Sequence, residues 1–212
     1  EDCYSIAAEY GLLPQFPASV RELFQRHALD ETPKSDDPSF CRSRWWTILS
    51  NGAAVSIAAD EAKRLGFTVE VDNTPDDWDY ERAAEYLTER VRDLRKRSAR
   101  VCLISGGEVT VKVTDGGTGG RNQQLAIAMA QHIAGENITA LSAGTDGIDG
   151  NSPAAGAIGD GTTLARSARL GLDLKSALAR FDAYPFFHAL GDTIETGPTG
   201  NNLRDLRILL AY

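Results

Sequence analysis

Between Ala53 and Ser105 the hydrophobic period changes again and again, and this alternation limits the fold more than any other feature of the chain. "AAVSIAADEAKRLG" carries its apolar residues at helical spacing and closes on Gly66. "FTVEVD" alternates at strand spacing, "DYERAAEYLTERVRDLRKR" returns to a helix with a long polar face, and "RVCLIS" is a short apolar strand. "RWWTILS", just before, reads as a buried strand with Trp45 and Trp46 in the core, and "EVTVKVT", just after, alternates strictly. Strand, helix, strand, helix, strand is the pattern of an α/β fold with a mostly parallel sheet flanked by helices. In it "RVCLIS" is expected to lie centrally.

The rest of the chain fits around that frame. Residues 1–29 read as short helices broken at Gly11, Pro14 and Pro17, and "DETPKSDDPS" as a polar linker. After "GGTGGRNQQ" a helix is expected from Leu125 to Ile133, then a strand at "ITALSAG", helices over roughly 160–190, and a closing strand at "DLRILLAY". This divides the chain into a helical segment and linker (1–40), a β-α-β-α segment (41–100) and a C-terminal domain (101–212).

A formal net charge of -8 argues against nucleic acid as a partner, because a phosphate backbone needs a basic face. The longest basic run, Arg92 to Arg100, suits the solvated end of a helix. No stretch is long and apolar enough to span a membrane, and the N-terminus lacks the basic-then-apolar order of a signal peptide, so the cytosol is the expected compartment. Cys3, Cys41 and Cys102 are too far apart for a zinc motif; Cys102 reads as a small core hydrophobe.

Chemistry is expected in the glycine-rich connections, since ligands of open α/β sheets bind beyond the carboxyl ends of strands. Four are present: Gly106-Gly107-Glu108 after "RVCLIS", "GGTGGRNQQ" at 116–124, "GTDGIDGN" at 144–151, and "TGPTGNN" at 196–202. None matches a P-loop, a GxGxxG fingerprint or a calcium loop. The physical reading is an anion nest: glycines let backbone N–H groups approach an anion, the following helix adds its positive end, and Arg121 supplies a planar fork. Taken singly, each loop is ordinarily a turn, and Asp146 and Asp149 are ordinary Asp-Gly turn residues. His188 in "PFFHAL" reads as a packed helical residue, and His27 and His132 show no partner.

Five motifs in order, "CLISGGEVTVKV", "GTGGRNQQLAIAMA", "ALSAGTDGIDGNSPAAGA", "FDAYPFFHALGD" and "TGPTGNNLRDLRILL", closely resemble the C-terminal MOFRL region of the type II glycerate kinases (glycerate 2-kinases). The match is strong over 101–212, and residues 1–100 resemble the segment before it. The resemblance implies the C-terminal half of a two-domain kinase that uses ATP and Mg2+ to phosphorylate D-glycerate to 2-phosphoglycerate. Arg121 is then the catalytic candidate. Gly106, Gly107, Glu108, Gly119, Gly120, Asn122, Thr145, Thr196, Thr199, Gly200, Asn201 and Asn202 are candidates for binding substrate or phosphate, and Asp146 and Asp149 for metal.

The family is about twice this length, and its N-terminal half supplies a catalytic lysine and a further glycine-rich loop. The chain is therefore expected to need a complementary domain and to be inactive alone; a non-catalytic anion- or nucleotide-binding module, or a subunit of a split enzyme, is the alternative. The label hydroxypyruvate reductase, carried by some homologues, gains no support from this sequence, which has no dinucleotide fingerprint. Two positions depart from the family's usual RNQE and TGTN: here stand Gln124 and Asn201. Gln124 removes a carboxylate that a metal or base role would use.

Overall fold

The computed structural model describes residues 2–114 and 116–212, in two compact units, 1–46 and 47–212. The first holds α1 (Asp2–Glu9), α2 (Ala18–Gln25) and two short 3-10 turns. Its packing is slight: Tyr4 stacks on His27 at 4.4 Å and meets Phe24 edge-on at 5.3 Å, and Ala7 is its one fully buried hydrophobic residue among those described.

The second unit begins with α3 (Asn51–Arg64), whose first turn is capped by Ser50 Oγ accepting from the Ala53 N–H at 3.1 Å. There follow β1 (Thr68–Val71), α4 (Tyr80–Arg95) and β2 (Val101–Gly107). Asp79 caps α4, and Arg92 and Arg95 stand in its last turn, where cations oppose the helix dipole. Next come α5 (Arg121–His132), β3 (Ile138–Gly144), β4 (Gly156–Asp160), the short helices α6 (Thr163–Arg169), α7 (Leu174–Ala179) and α8 (Ala183–Leu190), then β5 (Thr193–Ile194) and β6 (Asp205–Ala211). Among the described residues no helix is long and apolar enough to cross a membrane.

The six strands form one sheet in the order β1-β2-β6-β3-β4-β5. Only β1 and β2 pair in parallel; the other four pairings are antiparallel, so the sheet is mixed and mostly antiparallel rather than mostly parallel. The cause is β6. The units β1-α4-β2 and β2-α5-β3 leave β1, β2 and β3 running the same way, but the last strand inserts reversed between β2 and β3. Strand β4 returns from β3 through the loop 145–155 without a crossover helix, and such a connection makes an antiparallel pair.

Three further expectations fail. "RWWTILS" forms no strand, and Trp45 and Trp46 are 84% and 78% exposed instead of buried. "EVTVKVT" makes a single bridge, Thr110 to Asp79, because its main chain is used by the turn at 76–80 rather than by a sheet neighbour. Helix α5 starts at Arg121, four residues before its apolar run, since polar Asn122, Gln123 and Gln124 find buried partners. β2, by contrast, lies inside the sheet with all seven residues buried, Cys102 among them.

The core has layers on both faces. Val101, Leu103 and Leu209 pack with Leu87 and Val91 of α4 and Leu125 and Met129 of α5, while Cys102 and Ile104 pack on Val55 and Ala59 of α3. Beyond α5, Ile127 and Ala157 meet Phe186 and Phe187 of α8. Leu209 sits fully buried on the central strand, where a truncated side chain leaves a hole that four packed elements cannot close. Leu209→Ala is expected to lower unfolding free energy by about 2–5 kcal/mol, measured by chemical denaturation. Leu206→Ala, partly exposed on the other face, should cost distinctly less.

Candidate functional site

All four glycine-rich loops lie at one end of the sheet. Register places Gly107 opposite Asp205 and Gly144 opposite the same Asp205, so the carboxyl ends of β2 and β3 flank the start of β6. Helix α5 begins at this end as well. Glycine is needed where these backbones meet: a Cβ on Gly120 would stand 2.4 Å from Asp149, and one on Gly147 would stand 2.0 Å from the Gly197 carbonyl oxygen. Much of the glycine in these loops therefore serves contact of loop with loop.

The helix N-terminus has an anion, and it belongs to the chain itself. Asp149 is 2% exposed. Its Oδ1 accepts from the main-chain N–H and Nδ2 of Asn122 at 3.1 and 3.3 Å, and its Oδ2 from the N–H and Nε2 of Gln123 at 2.9 and 3.0 Å. Burial pushes its carboxyl above the ordinary carboxylate range, opposed by these four donors. Ser152 and Ser142 complete the net by pairing with Gln123 Nε2 and Asn122 Oδ1.

Arg121 is likewise held from within. Its Nε and Nη2 reach the two oxygens of Asp205 at 2.6 and 3.0 Å, and Nη2 also lies 3.0 Å from Glu108. The hydrogen bonds to Asp205 raise its pKa well above the ordinary arginine value. Its fork is thus closed on a carboxylate, and Nη1 is the nitrogen left over: among the described residues neither Nη1 nor the main-chain N–H groups of Gly120 and Arg121 donate to any partner.

These donors border a cavity of about 740 Å³. Its polar side is Glu108, Gly119, Gly120, Arg121, Asp146 and Asn151; its apolar side is Val109, Val111, Val113, Ile148 and Phe181. Gln124 and Asp149 also line it. Gln124 is 1% exposed and donates to the Leu178 carbonyl at 2.7 Å, which is a structural partner for the amide that stands at this position. Asp182, in the "FDAYPFFHALGD" motif, accepts from the Thr118 N–H and so pins the loop before α5.

The other candidates sit around this cavity rather than in it. Gly106 is buried under Asn51, and its N–H donates to Asn73. Thr145 bonds the Arg204 carbonyl and receives the Leu203 N–H, while Thr199 holds the Thr145 carbonyl at 2.6 Å and the Asp146 carbonyl through its N–H. Thr196, Gly200, Asn201 and Asn202 are exposed on the same loop; the hydrogen bonds of Thr196, Asn201 and Asn202 stay within it or reach Arg204 just after it. Among the described residues no group of three His, Cys, Asp or Glu side chains is placed to hold a metal ion.

Sequence reasoning passed over the residues that organise this end. Asp205 is 1% exposed and Arg207 is 0% exposed, two residues apart on the same face of β6. Arg207 donates to the carbonyls of Gly106 and Pro75, and burial depresses its pKa. Arg204, at φ 67, takes the left-handed backbone region while its guanidinium grips Asp76 at 2.6 and 2.8 Å. The signal is in the residues: "DLRILLA" puts charges at two alternate positions, Asp205 and Arg207, of an otherwise apolar strand, and buried charges need dedicated partners.

Comparison with known proteins places the chain in a family. Residues 101–205 match the MOFRL family model. The chain is similar to the glycerate 2-kinase of Pyrococcus horikoshii, 32% identical over 218 residues, covering 99% of this chain and 49% of that protein. It is also similar to a putative hydroxypyruvate reductase of Agrobacterium vitis, 44% identical over 111 residues, 51% of this chain and 29% of the other. The crystal structure of a glycerate kinase from Thermotoga maritima superimposes with a TM-score of 0.83 at 32% identity, over 100% of this chain and 50% of that one. The chain spans about half the length of the glycerate kinases it matches.

The Arg121–Asp205 pair joins a buried carboxylate to a guanidinium whose side chain is 38% exposed. Asp205→Asn is expected to lower stability by about 2 kcal/mol, less than the ~3–5 kcal/mol of a wholly buried pair, because solvent still reaches the freed Arg121. Thermal unfolding of the two proteins at matched pH and salt checks the value.

Proposed function

Because this chain is a MOFRL-family, glycerate-kinase-like protein, we propose that it carries the part of a glycerate kinase that positions the substrate anion for phosphoryl transfer. The observation that supports this best is the free donor set beside the cavity: Arg121 Nη1 with the N–H groups of Gly120 and Arg121, left over after Asp149 and Asp205 have taken the rest.

Phosphoryl transfer asks little covalent chemistry of a protein. Its transition state spreads negative charge over oxygens, so positioned donors do most of the work. A donor preoriented by an ion pair needs no reorganisation during the reaction. Asp205 supplies that orientation for Arg121, and the bond it makes leaves one nitrogen for D-glycerate's carboxylate or for the phosphoryl group arriving on its hydroxyl. The main-chain N–H groups stand beside it as neutral donors. The valines and Phe181 give the cavity an apolar side that limits water.

Kinship with glycerate kinases implies use of a nucleotide and a metal, and ATP with Mg2+ is the pair we assign. Magnesium binds through one or two carboxylates, substrate phosphates and water. Asp149 does not fit that role, since both of its oxygens are already taken by amide donors. Asp146, half-buried beside the cavity, is a carboxylate that would hold magnesium together with substrate phosphates and water. The complementary half of the glycerate-kinase architecture is the partner that completes the site. Exposed thiols at Cys3 and Cys41 suit a reducing compartment, in support of the cytosol.

The test is release of ADP in a coupled assay with D-glycerate and MgATP. The chain alone should give a flat trace, and activity should appear when the complementary half is joined to it. In that complete enzyme Arg121→Lys keeps the charge and loses the planar pairing that aims it, so kcat/KM should fall by the equivalent of about 2–4 kcal/mol. Binding of glycerate without any turnover by the complete assembly would favour the non-catalytic module instead.

A further inference from the structure

Glu108 has the wrong charge for its place. A cavity that holds anions gains nothing from a carboxylate in its wall, because like charges repel. Yet the fold fixes this carboxylate from several sides. The main-chain N–H of Glu108 donates to Asp76 Oδ1 at 2.9 Å, and its carbonyl accepts from the Asp77 N–H at 2.7 Å. Asp76 is itself gripped by Arg204, and Asp77 and Arg204 both take the left-handed backbone region, at φ 60 and 67, a strain that gathers at working sites. The Glu108 side chain lines the cavity with Oε1 3.0 Å from Arg121 Nη2. Among the described residues no donor reaches its Oε2. The neighbouring acids are occupied. Amide donors fill Asp149, Arg121 fills Asp205, and Asp146 suits the magnesium. Gln124 is an amide and no base.

We infer that Glu108 is the general base of the reaction and that it selects the hydroxyl beside the substrate's carboxylate. This rests on the function proposed above and supplies what that site still lacks, an acceptor for the hydroxyl proton. Arg121 joins the two ends of the arrangement. Its Nη2 lies against Glu108, and Nη1 of the same planar guanidinium is the donor left for the substrate carboxylate. A carboxylate held at Nη1 brings the hydroxyl of its neighbouring carbon to the Glu108 side, with the terminal hydroxyl one carbon further off. In the step itself the O–H bond of that inner hydroxyl breaks and its proton passes to Oε2. The hydroxyl oxygen forms a bond to the terminal phosphorus of the nucleoside triphosphate. The bond from that phosphorus to the bridging oxygen breaks, and the nucleoside diphosphate leaves with the electron pair. Glu108 then returns its proton to water.

The experiment uses the complete enzyme, this chain joined to the half of the Thermotoga maritima glycerate kinase that it does not cover. With Glu108→Gln, kcat should fall by about 100- to 10,000-fold while KM for D-glycerate stays within about threefold. The pH profile separates a base from a structural carboxylate. A base works only when ionised, so the parent's kcat drops as pH falls through the ionisation of Glu108, and that limb should vanish in the variant. The carboxylate faces Arg121 from α5, Arg204 and Asp205 at the start of β6, and Asp76 and Asp77 from the loop after β1, and it shares the cavity with Asp146 and Asp149. All of these remain in the variant, so a limb that disappears belongs to Glu108. Glu108→Ala gives a second readout: formate, but not chloride, should restore its kcat by roughly tenfold or more, since only a small carboxylate can take the missing group's proton. A fall of less than about tenfold in Glu108→Gln, a retained acid limb, or no rescue by formate would each overturn the inference and leave an active kinase. An assembly that releases no ADP with Glu108 in place overturns the kinase reading, and the base with it.

Discussion

The ion pair between Arg121 and Asp205 is the contact on which this end of the molecule depends. It ties the first residue of α5 to the first residue of β6, and Glu108 joins from the loop after β2. A carboxylate 2% exposed at the side chain is tolerable only with a partner of this quality. With the pair in place, β6 can enter reversed between β2 and β3 and bring Arg207 into a site with no solvent, where the carbonyls of Gly106 and Pro75 receive it. The antiparallel insertion that makes the sheet mixed and the charge network that shapes the cavity are thus two aspects of one strand.

Asp149 plays the matching part on the other side of α5. The dipole and free N–H groups of a helix start are a ready anion site, and here the fold fills it from within. Four N–H donors converge on one buried carboxylate. The loop 144–151 is thereby fixed against the first turn of α5, Asn151 ties it to Gly117 and Gly119, and the 196–202 loop is fixed in turn through Thr145 and Thr199. What is left among the described residues is a small remainder of donors beside the cavity. Such preorganisation is what an anion undergoing charge redistribution rewards.

Several parts of this were legible in the residues alone. The helical period of "AAVSIAADEAKRLG" and "DYERAAEYLTERVRDLRKR" is local and sufficient, because one apolar stripe must find one sheet face; α3, α4 and their caps follow from it. β2 and β3 were legible because an apolar or alternating run bounded by glycine has few other uses. The loops rich in glycine announced where backbones come close. "RWWTILS" read as a buried strand for the same local reason, and its exposure shows the limit: strand composition states a preference for pairing, not whether a partner is present.

Sequence by itself determined α3, β1, α4, β2, β3, β6 and the MOFRL-region motifs, since period and glycine act over a few residues. Only the tertiary structure decided strand direction, the partners of the charges and what the glycines are for. Whether β6 inserts parallel or antiparallel is a matter of which gap in the sheet is open and from which end the chain arrives, and no residue of β6 encodes that alone. Whether Arg121 grips a ligand with its fork or spends the fork on Asp205 depends on a carboxylate 84 positions away. Long-range pairing of buried charge is settled by the packed whole, because only there does desolvation make each partner necessary to the other.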